Sequence, residues 1–161
     1  MFSVDSTIIV PWDFSEHAKC GLGFALEATA TDQIRVICVL ERPDPYSEGA
    51  IWGGQAEEQA VEKCVEEFWE IVDKKRFPLE LVVEFGDPAA EIVRYASTFQ
   101  AATIVMSTHG RTGIKRLMLG SVAQKVSQTA SCPVMLLPNA WFESLKQEPS
   151  SGSAFRISTL S

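Results

Sequence analysis

The stretch from Ser107 to Ser121, STHGRTGIKRLMLGS, gathers the residue types that hold a phosphate. Gly110 and Gly113 permit positive φ and let a ligand come close to the backbone. Gly120-Ser121 is placed to open a helix, where unpaired N–H groups and the positive end of the helix dipole attract an anion. The hydroxyls of Thr108, Thr112 and Ser121 can donate to phosphate oxygens, and Arg111, Lys115, Arg116 and Lys125 supply positive charge. The competing reading is a glycine-broken loop capped by Ser121, with solvated basic residues. These residues alone leave both open.

Charge is distributed unevenly along the chain. Between Ile92 and Phe142 there is no Asp or Glu, yet Arg94, Arg111, Lys115, Arg116 and Lys125 fall there. That stretch carries +5 in a chain whose total is −7, so the remainder carries −12. A local cationic patch on an anionic protein suits a small anion better than a polyanion. Crowding of acidic residues onto the second helix accounts for part of the asymmetry. The acidic total argues against generic binding to nucleic acid or to an anionic membrane.

Other chemistries find less support. There is no G-x-x-x-x-G-K-[ST] phosphate loop and no G-x-S-x-G nucleophile elbow. Gly21-Leu22-Gly23 has Leu26 where a dinucleotide fingerprint needs its third glycine. It also lies well inside a helical pattern, so close helix packing explains it better. His17 and His109 cannot form a multi-histidine metal site alone, and His109 reads as a loop-orienting or ligand-bonding residue rather than a catalytic base. Cys20, Cys38, Cys64 and Cys132 show no C-x-x-C and no zinc spacing. Three of them sit inside apolar patterns and read as small core residues in a reducing compartment.

Five short apolar runs must position these residues: Thr7–Val10, Ile34–Leu40, Leu79–Phe85, Thr103–Met106 and Val134–Leu137. They are rich in Val and Ile and mostly continuous, the pattern of strands buried on both faces. Ala18, Leu22, Ala25, Leu26 and Thr29 recur at helical spacing, with Ser15 as cap. Ala60, Val61, Cys64, Val65, Phe68, Trp69 and Val72 form the stripe of a second helix whose other side is acidic. Asp87-Pro88 opens a third, with Ile92, Val93 and Ala96 inward. Ser121-x-x-Gln124 reads as the capping box of a fourth, with Val122 and Val126 inward. This β-α alternation predicts one three-layer α/β/α domain around a five-stranded parallel sheet, Rossmann-like in plan. Ligands of such sheets sit beyond the C-terminal strand ends, where Pro11–Ser15 and Ser107–Ser121 both emerge.

The chain has 161 residues, 46% hydrophobic and 22% charged, an ordinary globular composition for one domain. No apolar run approaches bilayer length. The start, MFSVDSTIIVPWD, carries Asp5 and no basic region, so no signal peptide is expected and a cytoplasmic location is. Glu41–Gly54 is a polar loop that reads as a lid or a plain connection. The division expected is a domain over 1–140 and a Ser-rich tail over 141–161. Phe155, Ile157 and Thr159 alternate in that tail as if to add to a sheet edge or dock on a partner.

MSTHGRTGIKRLMLGSVAQKVSQTASCPVMLLP resembles the C-terminal signature of the universal stress protein family. The ATP-binding branch of that family carries G-x-x-G-x(9)-G-[ST]. Here Gly110, nine residues and Gly120-Ser121 match its later part, while Ser107 stands in the place of its first glycine. IIVPWDFSEHA resembles the family's first strand and Asp-bearing loop, and FGDPAAEIVRYA its third helix start, so the likeness covers about 5–138.

The resemblance implies a fold of the adenine nucleotide alpha hydrolase type that binds ATP, AMP or ADP, with or without Mg²⁺, in a stress-response regulator. It implies that Asp13 faces the ribose or a metal-linked phosphate and that Pro11 and Trp12 line the adenine. The backbone of Val39 would contact the base. Gly110, Arg111, Gly120, Ser121 and Val122 would hold phosphates and ribose, with Met106, Ser107 and His109 completing the set. Ser107 either obstructs the ligand with its Cβ or donates a hydrogen bond to it. A homodimer through Val134, Met135, Leu136 and Leu137 is also implied, and an open apolar edge strand independently invites such cover. The alternatives are a ligand-free dimeric interaction module and an enzyme limited to slow ATP hydrolysis or autophosphorylation.

Overall fold

The computed structural model describes residues 7–42, 55–108, 119–138 and 140–141. Strands β1 (Ile8–Trp12), β2 (Ile34–Leu40), β3 (Glu80–Phe85), β4 (Thr103–Ser107) and β5 (Val134–Leu137) alternate with helices α1 (Glu16–Ala28), α2 (Gln55–Ile71), α3 (Pro88–Thr98) and α4 (Ser121–Thr129). All strand pairs are parallel, in the order β3-β2-β1-β4-β5. The connections that step toward β3 carry α1 and α2, and those that step toward β5 carry α3 and α4. One crossover hand therefore puts the two helix pairs on opposite faces.

Period-two alternation divides the central strands between two cores. Ile8, Val10, Trp12, Val36, Cys38 and Val105 meet Ala18, Leu22 and Ala25 of α1 and Cys64 and Phe68 of α2. Ile9, Ile37, Ile104 and Met106 meet Ala89, Ile92, Tyr95 and Ala96 of α3 and Ala123 and Val126 of α4. Burial on both faces holds for β1, β2 and β4. It does not hold at the sheet edges: Glu80 of β3 is exposed and its other residues are half-buried, as are Val134, Met135 and Leu136 of β5. An edge strand has a neighbour on one side only, and the covering helices do not reach past it.

Two helix starts follow the sequence pattern. Ser15 Oγ accepts from the N–H of Ala18 at 3.0 Å, and Asp87 Oδ1 accepts from that of Ala90 at 2.8 Å. The expected capping box at Ser121 is corrected. Gly120 is the N-cap, with φ −58° and ψ 147°, and its carbonyl takes the first helical bond from Gln124 N at 2.8 Å. Ser121 thereby falls inside the helix, where its hydroxyl cannot reach forward as a cap. Past β5, Trp141 packs edge-on against Phe24 of α1 with ring centroids 5.9 Å apart. No described helix is long and apolar enough to cross a membrane.

Candidate functional site

β1 and β4 are neighbours whose outgoing helices lie on opposite faces, the switch point of this sheet. Their ladder pairs Ile8 with Thr103 and Ile9 with Ile104, while β1 stays paired to β2 as far as Trp12. The C-terminal halves of β1 and β4 thus run unpaired beside each other. Pro11, lacking an N–H, sits in that half.

The chain leaves β1 through a tight relay. Asp13 Oδ1 accepts from Ser15 N at 3.1 Å and from Ser15 Oγ at 2.5 Å, and the same hydroxyl caps α1. Phe14 between them has φ 64°, the left-handed region that a bulky residue avoids. Its ring packs edge-on against Trp12, centroids 5.8 Å apart, which holds the turn in that conformation.

At the end of β4, Ser107 Oγ donates to the backbone carbonyl of His17 in α1 at 2.6 Å. The hydroxyl that could have served a ligand is therefore engaged within the fold. Beyond it, Thr108 N donates to Leu137 O at 3.0 Å and Gly120 N to Thr108 O at 2.7 Å. These bonds fix the start of α4 against the ends of β4 and β5. Among the described residues no side chain caps α4, unlike α1 and α3.

The candidate residues divide by face. Val39 packs partly against the core beneath α3 and α4, as do Val122 and the buried Met106. Strand alternation gives Pro11 the same side as Ile9. Trp12 lies on the opposite face, 3% exposed, with its ring against Phe68 at 5.1 Å. The structure does not bring its side chain together with Pro11, Val39 and Met106. Its indole Nε1 is buried without a hydrogen-bond partner among the described residues. His109, Gly110 and Arg111 lie outside the described residues, as do Thr112, Gly113, Lys115, Arg116, residues 43–54 of the proposed lid and the tail from 142.

Two of the five cations in the acid-free stretch are already paired. Arg94 meets Glu91 at 2.7 Å and Glu84 at 3.1 Å, and these two partners raise its pKa, Glu91 the more. Lys125 meets Asp87 at 3.0 Å. The Asp87 carboxyl is held below its ordinary value, first by the N–H of Ala90 and then by Lys125. Lys125 thus serves the start of α3, leaving Arg111, Lys115 and Arg116 as the unassigned charge of that stretch. Among the described residues no group of three or more His, Cys, Asp or Glu is arranged to hold a metal ion.

Sequence reasoning missed two features here: the strained Phe14 and the Ser107–His17 bond.

The model of the universal stress protein family matches residues 6–138. Universal stress protein MJ0531 of Methanocaldococcus jannaschii is 50% identical over 52 residues, a segment spanning 32% of this chain and 31% of that relative. The solved structure of protein MJ0577 from the same organism superposes with a TM-score of 0.68 at 24% identity, covering 84% of this chain and 97% of that one. A universal stress protein of Archaeoglobus fulgidus, solved in complex with dAMP, superposes with a TM-score of 0.53 at 24% identity, covering 81% and 96%. At these identities the superpositions establish a shared fold.

Proposed function

The chain belongs to the universal stress protein family, and we propose that it is a nucleotide-binding regulatory member. ATP, or the related AMP or ADP, would occupy the gap between the C-terminal halves of β1 and β4 and alter what the protein binds. The observation that carries this reading is the start of α4. It is a helix N-terminus that no side chain among the described residues caps, at the sheet's switch point, opened by the glycine-serine pair of the phosphate-binding spacing.

In this reading the N–H groups of Ser121 and Val122, the Ser121 hydroxyl and the open backbone at Gly120 receive phosphate oxygens. Gly110, Arg111 and His109 are assigned to the same phosphates from their spacing. Pro11, Met106 and the backbone of Val39 border the base, and Asp13 faces the ribose or a nucleotide-borne Mg²⁺. Ser107 shapes the floor through its bond to His17 rather than by touching the ligand. The dAMP complex of the A. fulgidus protein supports an adenine nucleotide as the class of ligand. The half-buried, apolar β5 at the sheet edge supports a homodimer through Val134–Leu137.

Titration with ATP and Mg²⁺ tests the reading. Hundredfold excess over Kd stabilises the fold by about 2.7 kcal/mol, which raises Tm by roughly 5–10 °C in a domain of this size. Gly120→Val should abolish the shift while the unliganded variant still melts cooperatively, because Gly120 has backbone angles that any residue adopts. No shift at millimolar ATP would favour a ligand-free interaction module instead. A Gly120→Val protein that binds normally would move the site elsewhere.

A further inference from the structure

β3 is an edge of the sheet, and among the described residues β2 is its only strand neighbour. The two strands pair in parallel with Leu40 beside Phe85, and Gly86 N donates to Leu40 O at 3.0 Å. In such a ladder the N–H and C=O of one residue point to one side and those of the next residue to the other. Glu80, Val82 and Glu84 therefore turn their backbone groups toward β2, while Leu81, Val83 and Phe85 turn theirs outward. Among the described residues no backbone group bonds to these outward ones.

The two sides of this edge differ. Leu81 and Val83 pack partly against the core beneath α1 and α2, Phe85 shares their side by alternation, and all three stay half-buried. On the α3 side Glu80 pairs with Arg35 and accepts from Tyr95 Oη at 3.3 Å, while Glu84 and Glu91 share Arg94. Three carboxylates thus face two guanidinium groups, which leaves this side negative. A strand that completes the edge must be apolar on one side and bear a cation on the other. Residues 154–160, AFRISTL, have that pattern: Phe155 and Ile157 flank Arg156, the only cation after Lys146. The tether is long enough. Trp141 is held on Phe24 of α1, which packs over β1 and β4, and β3 is at most three strand spacings, about 15 Å, from these. About a dozen residues separate Trp141 from Ala154, roughly 40 Å when extended, enough to pass around α2, about 10 Å across.

We propose that residues 154–160 add to β3 of the same chain as a sixth strand, with Phe155 and Ile157 beside Leu81, Val83 and Phe85 and with Arg156 beside Glu80 and Glu84. The added backbone pairs with the outward N–H and C=O groups, and the two apolar side chains continue the core past the reach of α2. Tethering holds the segment at an effective concentration on the order of millimolar, so a strand too weak to bind from solution pairs when attached. This closes one edge of the sheet to other chains, whatever covers β5.

Amide hydrogen exchange of the full chain, read residue by residue by NMR, tests the proposal. In the unaltered protein the amides of Leu81, Val83 and Phe85 should be protected, to a degree independent of protein concentration. Phe155→Asp combined with Ile157→Asp should speed their exchange by roughly tenfold or more, while Val82 and Glu84, whose amides bond to β2, keep their protection. Arg156→Glu should speed it by a smaller factor that shrinks at high salt. Equal exchange at Leu81, Val83 and Phe85 in the unaltered and doubly substituted proteins overturns the proposal. So does an equal loss of protection at Val82 and Glu84, which would mean that the whole fold had loosened. Protection that appears only as the protein is concentrated also overturns it and makes a second copy the occupant.

Discussion

Ser107 is the position where this chain departs from the glycine pattern it otherwise follows, and its environment sets the size of the effect on replacing it. The hydroxyl donates to His17 O at 2.6 Å, linking the end of β4 to the first turn of α1. Removing a partly buried hydrogen bond between neutral groups costs about 0.5–1.5 kcal/mol. His17 O belongs to α1 and keeps its helical acceptor role, so the larger penalty of an orphaned carbonyl does not apply. Ser107→Ala should therefore lower stability by about 1 kcal/mol, or roughly 2–4 °C in Tm. Ser107→Gly adds the backbone freedom of glycine, a further 0.5–1 kcal/mol or about that. Scanning calorimetry of the three proteins reads both steps. Under the proposed function, calorimetric titration with ATP should find Ser107→Ala within twofold of the unaltered protein and Ser107→Gly at least as tight. An unchanged Tm for Ser107→Ala would refute the bond as a stabilising tie. A tenfold loss of ATP affinity in the same variant would refute the inference that the hydroxyl is engaged away from the ligand.

Gly86 has φ +144°, while a Cβ there would meet Glu91 at an ordinary 3.5 Å, so Gly86→Ala should cost about 1–3 kcal/mol from the backbone alone, read as a lower urea midpoint. Asp87 is depressed below its ordinary 3.8, so its stabilisation is complete above that value and is lost as pH falls through the lower folded value. Asp87→Asn keeps a capping oxygen but should flatten the fall of Tm below pH 4, and an unchanged slope would count against the cap and the Lys125 pair as its source. Pro133 O and Leu137 O accept from β4, so the backbone groups of Val134 point to the open edge. Val134→Pro should then convert the proposed dimer to monomers by light scattering, and an unaltered protein that is monomeric at high concentration would sink that assembly.

The architecture was legible because it rests on local signals. Val- and Ile-rich runs placed the five strands to within a residue or two, and Ser15 and Asp87-Pro88 marked the starts of α1 and α3 through chemistry confined to one turn. The start of α4 misled because Gly120 and Ser121 are both good caps, and only the extended backbone of Gly120 decides between them. The charge count misled for a different reason. A stretch without acids looks unneutralised in one dimension, but Glu84 and Asp87 come from just outside it to meet Arg94 and Lys125. The Ser107–His17 bond joins residues far apart in sequence and leaves no trace in periodicity or composition.

Phe14 supplies the last step. A bulky residue at φ 64° costs on the order of 1–2 kcal/mol relative to the right-handed region. That cost is confined to the single residue joining Asp13 to Ser15, and it is offset by the Phe14 ring against Trp12 and by the Ser15 hydrogen bonds to Asp13. A glycine or asparagine at position 14 would make the turn more easily but would lose the ring contact. Under the proposed function the burial of Trp12 therefore bears on the nucleotide site although its side chain faces the opposite core. Trp12 is held by Phe68 of α2, Phe14 is held by Trp12, and the strained turn sets where the Asp13 carboxylate emerges.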